Sequence, residues 1–388
     1  MIPNVNGSIP ALVIGVNTDR RAAERDEASL AELHLLAETA GFDPKARKLY
    51  RKEHIDPANY LGIGKAHDIR RITRENDLGT VIFDFELSPV QIRNLKEIIR
   101  QRVVSRTELI LDIFAKRART KEAKLQVELA TLIYALPRLR HMWPHLGRIA
   151  GGIGTKGPGE KQIEMDKRRI RKRIAKIKHE LVSVKNHRMT IRKNRKSKFK
   201  AALVGYTNAG KSSLLNTLSH SSLFTENRLF ATLDPATREV WLGDGVTMLI
   251  TDTVGFIKRL PPTLIASFMS TLEEVKEADL LLHVVDIDNS DALERIDAVN
   301  IVLKEIGTDD LPVLYVYNKV DLLERRDTKA LLLNRHKNCV VVSSKTKEGI
   351  DVLKRELFTY YGETRSQFEE SGSSPESVVL HPNKMSPV

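Results

Sequence analysis

The segment 199-FKAALVGYTNAGKSSLLNTL-218 decides the fold of this chain. Its apolar start is typical of a buried strand, its glycine-rich centre of a tight loop, and its end of an amphipathic helix. A GxxxxGKS loop in that setting predicts a phosphate-binding loop, with backbone amides around a β-phosphate at the helix N-terminus. Lys211 would bridge the β- and γ-phosphates, Ser212 would offer its hydroxyl to Mg²⁺, and Ser213 would donate to the α-phosphate.

A second motif follows the apolar run 247-VTMLITDT-254. It places Asp252 at the end of a strand, where the carboxylate could hold Mg²⁺ through water, and the Gly255 amide beside the γ-phosphate. The next residue, Phe256, stands where many such proteins carry a glutamine that orients the attacking water. A phenyl ring cannot make that hydrogen bond, so we expect slow intrinsic hydrolysis until a partner supplies the positioning.

Two further motifs predict that the base is guanine. After 312-PVLYVYNKVD-321, Asp321 can accept from the ring N–H and the exocyclic amine of guanine, two donors that adenine does not present together. Lys319 would lay its stem along the base, and Asn318 would tie this loop to the phosphate loop. The run 339-CVVVSSK-345 then ends at residues whose backbone can read the guanine carbonyl.

The stretch 229-LFATLDPATREV-240 should contain the loop that senses the γ-phosphate. Thr232 is the expected second hydroxyl ligand of Mg²⁺, with Thr237 as the alternative, and Asp234-Pro235 should form a turn into the next strand.

These motifs define the candidate site. The catalytic residues are expected to be Lys211, Thr232 and Gly255. The metal would be held by Ser212, Thr232 and, through water, Asp252. The nucleotide-binding set is Gly205, Tyr206, Thr207, Asn208, Ala209, Gly210, Lys211, Ser212, Ser213, Phe230, Ala231, Thr232, Leu233, Asp234, Asp252, Thr253, Val254, Gly255, Asn318, Lys319, Asp321, Ser343, Ser344 and Lys345. The substrate would be GTP and the cofactor Mg²⁺.

The N-terminal part, up to about residue 120, alternates strand-like and helix-like runs and predicts a small α/β domain. Helices are expected at 28–40 and 89–99, and strands at the runs ALVIGV and TVIFDF. Its histidines, at positions 34, 54 and 67, have no metal-ligand spacing.

Residues 121–197 carry two coiled-coil patterns and predict an antiparallel helical hairpin. The first arm repeats leucines at 4,3 spacing from Leu125 to Leu146, and its 22 residues would extend roughly 33 Å. Pro137 and Pro144 should kink it. The second arm repeats Ile and Leu from Ile163 to Ile191. Both arms look too polar on their outer faces to be buried.

The second arm carries nearly all of the excess charge. Residues 161–200 hold 17 Lys/Arg and 3 Asp/Glu, a net +14 in a chain whose total is +13. A face with one sign of charge favours nucleic-acid phosphate over a plain solvated surface or a membrane surface.

The glycine-rich stretch 151-GGIGTKGPGEKQ-162 would form the hairpin tip (147–162), whose exposed amides could approach RNA closely. A loop without contacts and a second nucleotide site are the alternatives. The expected RNA contacts are Gly151, Gly152, Lys156, Lys161, Lys167, Arg168, Arg169, Arg171, Lys172 and Arg173.

The remaining features concern the compartment. Cys339 is the single cysteine, so no intrachain disulfide can form, and no apolar run approaches the roughly 18 residues of a membrane span. We therefore expect a cytoplasmic protein.

With these residues in hand, the chain resembles the HflX family of ribosome-associated GTPases over residues 9 to about 360. Three stretches carry the resemblance: 111-LDIFAKRARTKEAKLQVELA-130, 151-GGIGTKGPGEKQIEMDKRR-169 and 229-LFATLDPATREVWL-242. The resemblance implies an N-terminal α/β domain (1–120), a hairpin that reaches towards the peptidyl-transferase centre, and a GTPase domain (198–362). It also implies binding to the large ribosomal subunit and its rRNA, and splitting or rescue of stalled or idle ribosomes. A hydrophobic residue in place of the glutamine fits the family pattern.

The expected partner is thus the large subunit, with no DNA and no membrane, and the protein is expected to act as a monomer on the ribosome. Relatives often carry a further C-terminal domain, whereas here a polar tail (363–388) is expected to be disordered. The competing hypothesis is a GTP-regulated rRNA-binding scaffold or assembly factor in which turnover is incidental.

Overall fold

The N-terminal region contains a parallel four-stranded sheet in the order β2-β1-β3-β4. The computed structural model describes residues 8–17, 23–51, 54–139, 158–192, 198–220, 229–258, 273–289, 291–323 and 335–370. The strands are β1 (Ile9–Asn17), β2 (Phe42–Arg51), β3 (Thr80–Phe83) and β4 (Arg102–Ser105). The helices are α1 (Ala23–Ala40), α2 (Ile63–Glu75), α3 (Pro89–Ile99) and α4 (Arg106–Arg117).

The apolar runs located β1 and β3, but they missed the edge strands β2 and β4. In the segment 42-FDPKARKLYR-51 only Phe42 and Tyr50 are buried, because the strand lies at the edge of the sheet. Its pairing with β1 comes from the backbone, which leaves little hydrophobic signal in the side chains.

The predicted GTPase domain contains a six-stranded sheet in the order β10-β9-β8-β5-β7-β6, parallel except for the antiparallel β6–β7 pair. Its strands are β5 (Lys200–Gly205), β6 (Ala236–Gly243), β7 (Val246–Asp252), β8 (Leu280–Asp286), β9 (Val313–Asn318) and β10 (Cys339–Val341). Its helices are α7 (Lys211–Ser219), α8 (Ala292–Glu305) and α9 (Ile350–Glu370). The predicted motifs therefore follow the carboxyl ends of neighbouring strands, where α/β folds place ligands.

In the chain segment that connects the two sheets, α5 (Lys121–Ala135) and α6 (Pro158–Arg192) pack side by side. Leu125 and Leu129 of α5 contact Ile177 of α6. Arg173 donates from two nitrogens to the Glu128 carboxylate, at 2.6 Å each. Thr120 at the start of α5 bonds to Asp234 of the predicted GTPase domain, and the chain passes from the end of α6 into β5 of that domain. The two helices therefore run antiparallel, and the predicted α/β fold with a helical hairpin is confirmed.

The expectation that both arms are polar on their outer faces is wrong for α5. Its Ala123, Val127 and Ala130 form a second apolar stripe that joins the core shared with α4, while Leu125 and Leu129 face α6. A leucine repeat made the α6 contact visible in the sequence. The small residues at 4,3 spacing on the other face gave a weaker signal in the sequence. With both faces packed, α5 is a buried connector, and α6 is the longer arm, at roughly 52 Å.

Three boundaries differ from expectation. Helix α5 ends at Ala135, and the chain continues as a 3-10 turn at Leu136–Arg138. Pro137 in this turn has no backbone N–H and cannot donate the α-helical hydrogen bond. Helix α6 begins at Pro158, so 158–162 are helical, while the rest of the predicted tip and Pro144 lie outside the described residues. Helix α9 extends to Glu370, so residues 363–370 are helical and the prediction of disorder from 363 is wrong there. Residues 371–388 lie outside the described residues.

One buried cluster joins the N-terminal domain, α5 and the GTPase domain. It includes Phe114 of α4, Val127 of α5 and Phe256 of the GTPase domain. A continuous core of this kind holds the three parts in a defined arrangement. Within the described residues, no helix is long and apolar enough to cross a membrane.

Candidate nucleotide site

The phosphate loop connects β5 to α7, and the backbone at each of its ends requires glycine. Gly205 has φ 146°, and a Cβ there would lie 2.2 Å from the Val284 carbonyl oxygen. Gly210 has φ 92° and a Cβ would lie 2.2 Å from Nδ2 of Asn318. These close approaches explain why glycine occupies both ends of the loop.

Lys211 is buried at the first turn of α7. Its Nζ donates to the carbonyl oxygens of Gly205 at 3.0 Å and Tyr206 at 2.8 Å, which curls the loop around the ammonium group. Burial lowers the pKa of Lys211 to about 8, and the nearby Asp252 carboxylate offsets part of that effect. A bound polyphosphate would supply the negative charge that this buried ammonium lacks.

Three oxygen-bearing side chains converge beside Lys211. The Ser212 hydroxyl lies 2.7 Å from the Thr232 hydroxyl and donates to Oδ2 of Asp252 at 2.5 Å. Oδ1 of Asp252 is buried and has no hydrogen-bond partner among the described residues. Burial raises the pKa of Asp252, although Lys211 and Ser212 act in the opposite direction. Hydroxyl and carboxylate oxygens suit Mg²⁺, so the donor set fits this ion.

The alternative hydroxyl, Thr237, lies elsewhere. It is on β6 and contacts the hydroxyl of Thr251 across the β6–β7 pair at 2.9 Å. The geometry therefore favours Thr232.

The segment after β7 closes the phosphate end of the pocket. A Cβ at Gly255 would lie 2.8 Å from Cα of Thr207 and 3.1 Å from Nζ of Lys211, so glycine lets this strand end approach the phosphate loop. Thr253 donates its hydroxyl to the Leu203 carbonyl at 2.6 Å. Phe256 is buried, and its backbone pairs with the phosphate loop through Gly205 and Thr207.

The predicted base-reading residues follow β9 and β10 and are held by hydrogen bonds and one ion pair. Asn318 is buried and donates from Nδ2 to the Ala209 carbonyl at 2.9 Å, while its Oδ1 accepts from the amide and hydroxyl of Ser344. Lys319 pairs with Asp286 at 2.7 Å. Oδ1 of Asp321 accepts from the Ser343 hydroxyl at 2.6 Å, and that hydroxyl also accepts from the Lys345 amide. The structure thus brings the predicted base-reading residues together.

Most of the predicted phosphate residues line one pocket. Its walls are Thr207, Asn208, Gly210, Lys211, Ser212, Ser213, Phe230, Ala231, Thr232, Thr253 and Gly255. Leu233 and Val254 are instead buried in the core. Asp234 points to the start of α5, where the backbone amide of Arg119 donates to its Oδ2 at 3.0 Å. Its place in the nucleotide-binding set is therefore not supported, because its carboxylate is already used.

The predicted RNA contacts divide into three groups. Gly151, Gly152 and Lys156 lie outside the described residues, and Lys161 lies on α6 with its side chain outside them. Arg173 is half-buried in its pair with Glu128, because both lie on the contact between α5 and α6. The side chain of Lys167 is partly buried. The exposed remainder, with two further lysines, forms what we term the basic helix face: Arg168, Arg169, Arg171, Lys172, Lys176 and Lys178.

A buried ionic group that contacts the phosphate loop was missed by the motif analysis. Arg106 of α4 pairs with Glu32 and Asp84, both at 2.6 Å, and donates to the Lys258 carbonyl at 3.2 Å. Burial lowers the pKa of Arg106, but the two carboxylates more than offset it and hold the pKa above its usual value. The Tyr206 hydroxyl donates to Glu32 and accepts from the Lys258 amide at 2.7 Å. Glu32 on α1, Asp84 after β3 and Arg106 on α4 are far apart in the chain, so no spacing signal could have revealed this group.

Fold and site together define a P-loop GTPase. Comparison with known proteins agrees: residues 27–115, 117–195 and 200–319 match family models described as GTP-binding GTPase N-terminal, GTP-binding GTPase Middle Region and 50S ribosome-binding GTPase. The chain is 42% identical over 368 residues to GTPase HflX of Flavobacterium psychrophilum, covering 89% of each. It is 42% identical to GTPase HflX of Escherichia coli, covering 85% of this chain and 78% of that protein. The chain therefore belongs to the HflX family of GTPases, which confirms the resemblance and the GTPase assignment.

Among solved structures, the chain is similar to a GTP-binding protein of the archaeon Sulfolobus solfataricus in complex with GDP. The identity is 24%, the match covers 92% of this chain and 99% of that one, and the TM-score is 0.48.

Proposed function

We propose that this GTPase binds the large ribosomal subunit through rRNA, hydrolyses GTP·Mg²⁺ when the ribosome stimulates it, and splits or rescues stalled or idle ribosomes. The basic helix face is the observation that carries this proposal. The protein would act in the cytoplasm, where that partner is found, as a monomer on the subunit. The family model described as a 50S ribosome-binding GTPase, which matches residues 200–319, supports the choice of partner.

The basic helix face has the chemistry that phosphate requires. Six exposed Lys and Arg side chains lie within eleven residues of one helix, while Arg173 and Glu128 hold that helix against α5. Such a row would displace counterions from RNA, so affinity should fall steeply as salt rises. We propose that the glycine-rich stretch preceding α6 approaches RNA at the end of this arm.

Phe256 supports a requirement for stimulation. Its ring is buried in the core shared by the three parts of the molecule, so it cannot orient a water molecule. When bound, Mg²⁺ would neutralise charge on the β- and γ-phosphates, held by Ser212 and Thr232, with Asp252 acting through water. Lys211 and the Gly255 amide would stabilise the γ-phosphate. The missing positioning of water would come from the ribosome.

The test is steady-state GTP hydrolysis with and without purified large subunits over a salt series. We expect strong stimulation that declines steeply between low and moderate salt. A triple variant, Arg168→Glu, Arg171→Glu and Lys172→Glu, should lose stimulation and retain intrinsic GTP binding. The matched control, Lys45→Glu and Lys65→Glu on the N-terminal domain, should behave as the unaltered protein.

Splitting needs its own measurement. Mixed with intact ribosomes, the protein carrying a non-hydrolysable GTP analogue should convert them into subunits, seen as a fall in light scattering. Subunit binding without stimulation or splitting would instead support the scaffold hypothesis.

A further inference from the structure

The loop that carries Thr232 is anchored outside the nucleotide site. We call residues 229–235 the switch loop. Leu229 and Leu233 are buried in the core that α4 and α5 share with the GTPase domain. The Phe230 ring meets the Phe114 ring of α4 edge-on, with centroids 4.7 Å apart. Apolar contacts therefore hold the first half of the switch loop against the base of the hairpin.

The second half is held by a carboxylate. Oδ2 of Asp234 accepts from the backbone amides of Arg119 at 3.0 Å and Thr120 at 3.3 Å, and the Thr120 hydroxyl donates to Oδ1. Thr120 is also the N-cap of α5, since its hydroxyl accepts from the Ala123 amide at 3.1 Å. The Thr120 hydroxyl thus links the Asp234 carboxylate to the first turn of the hairpin.

Thr232 lies between these two anchors, with its hydroxyl 2.7 Å from that of Ser212. A carboxylate that accepts three hydrogen bonds is a strong and directional anchor, and Asp234 is only two residues further along the chain. A movement of the α5 N-terminus that breaks these contacts would therefore release the chain two residues from Thr232.

We propose that Asp234 is a positioning residue: by binding the N-terminus of the hairpin helix, it holds the Thr232 hydroxyl at the metal position. The inference rests on the proposed role of Thr232 toward Mg²⁺. Because coupling between two sites is reciprocal, a ligand that orders Thr232 also strengthens the Asp234 contacts at α5, and a partner that fixes the hairpin strengthens Mg²⁺·GTP binding.

The first test measures the Mg²⁺ dependence of binding, with a fluorescent non-hydrolysable GTP analogue as the probe. Asp234→Ala should raise the Mg²⁺ concentration for half-maximal binding by roughly tenfold, the size expected from losing charge-assisted hydrogen bonds. Thr120→Ala should also raise this Mg²⁺ concentration, whereas Thr120→Ser, which keeps the hydroxyl, should leave it as in the unaltered protein. The variant that combines Asp234→Ala with Thr120→Ala should differ little from Asp234→Ala alone. GDP affinity measured in excess chelator should stay within about twofold, as a local effect on the metal position predicts.

The matched control is Glu239→Ala. Glu239 lies on β6 just beyond the switch loop and also accepts two side-chain hydrogen bonds, from Lys198 and Thr247. Its loss should leave the Mg²⁺ dependence unaltered. An equal shift in this control would make the Asp234 effect a general loosening of the domain and overturn the proposal.

Hydrogen exchange supplies a readout independent of nucleotide turnover. In the unaltered protein, Mg²⁺ with the GTP analogue should slow exchange in the peptide covering residues 117–124, and Asp234→Ala should abolish that slowing. Thr232→Ala separates the two hypotheses. If Thr232→Ala leaves the Mg²⁺ dependence unchanged, the metal role of Thr232 fails. If Thr232→Ala raises the Mg²⁺ concentration for half-maximal binding while Asp234→Ala and Thr120→Ala do not, the positioning role of Asp234 fails and the metal role of Thr232 stands.

Discussion

The predicted base-reading residues and the predicted phosphate-sensing residues of the nucleotide site are held in different ways. Asn318, Asp321 and Ser344 are held by other residues of the GTPase domain, such as Ala209 and Ser343. The phosphate-sensing part is held from outside: the switch loop binds the start of α5, and Tyr206 and Lys258 bind Glu32 and Arg106 of the N-terminal domain. The predicted base-reading residues are thus held locally, whereas the predicted γ-phosphate sensors are connected to α5 and the N-terminal domain.

The largest expected effect lies in the local part. Asp321→Asn replaces a double acceptor by an amide that clashes with the exocyclic amine of guanine. GTP affinity should fall by about 10⁴-fold, as for other sites that lose a required hydrogen-bond partner, and xanthosine triphosphate should become the preferred nucleotide. Competition binding checks this, with Asp309→Asn on the surface of the same domain as the control. An unchanged preference for GTP would remove Asp321 from the base-reading role.

The next largest effect concerns the buried ionic group of the N-terminal domain that contacts Tyr206 and Lys258. Arg106→Met leaves the buried carboxylates of Glu32 and Asp84 without their cation. Its expected cost is about 3–5 kcal/mol in free energy of unfolding, as for other broken buried pairs. Arg71→Met removes an exposed, solvent-screened pairing and should cost far less.

Urea unfolding curves of the two variants provide the measurement. Equal costs for Arg106→Met and Arg71→Met would show that the buried ionic group, on which Tyr206 and Lys258 rest, contributes little to stability.

A smaller effect is expected from one hydroxyl. Tyr206→Phe leaves the Glu32 carboxylate and the Lys258 amide without this partner and should cost about 1–3 kcal/mol in stability. GDP affinity should change little, because the hydroxyl points away from the pocket and into the N-terminal domain. Tyr317→Phe, which removes a hydroxyl bonded to His336 near the base-reading part, is the control. Binding titrations and thermal melts of both variants would show whether stability and binding separate.

The smallest effect is a pH dependence of binding. The pKa of Lys211 is about 8 in the free protein, below its ordinary value, because burial disfavours the ammonium form. Bound phosphates keep the ammonium protonated, so binding takes up a proton above pH 8 and affinity falls as pH rises. The limit is tenfold per pH unit for one proton. GDP titrations from pH 7 to 9.5 at constant ionic strength check this, and a flat profile would show that the free protein keeps its charge.

The motifs at the strand ends were readable in the sequence because each combines a hydrophobic strand with side chains that only one chemistry requires. The leucine repeat likewise revealed the contact between Leu125 and Ile177. Other features could not be read from the sequence, for physical reasons. The second buried stripe of α5 uses small residues, β2 pairs through its backbone at a sheet edge, and Asp234 uses its carboxylate on a distant helix N-terminus.

The sequence by itself determined the class of fold, the GTPase chemistry and the family, since a phosphate loop depends on residues adjacent in the chain. Only the tertiary structure decided what holds the switch loop and Tyr206 in place. Glu32 lies 174 residues from Tyr206, and Thr120 lies 114 residues from Asp234. Contacts across such separations arise from how helices pack over the two sheets, and a lone Glu, Arg or Thr on a helix gives no local sign of its distant partner.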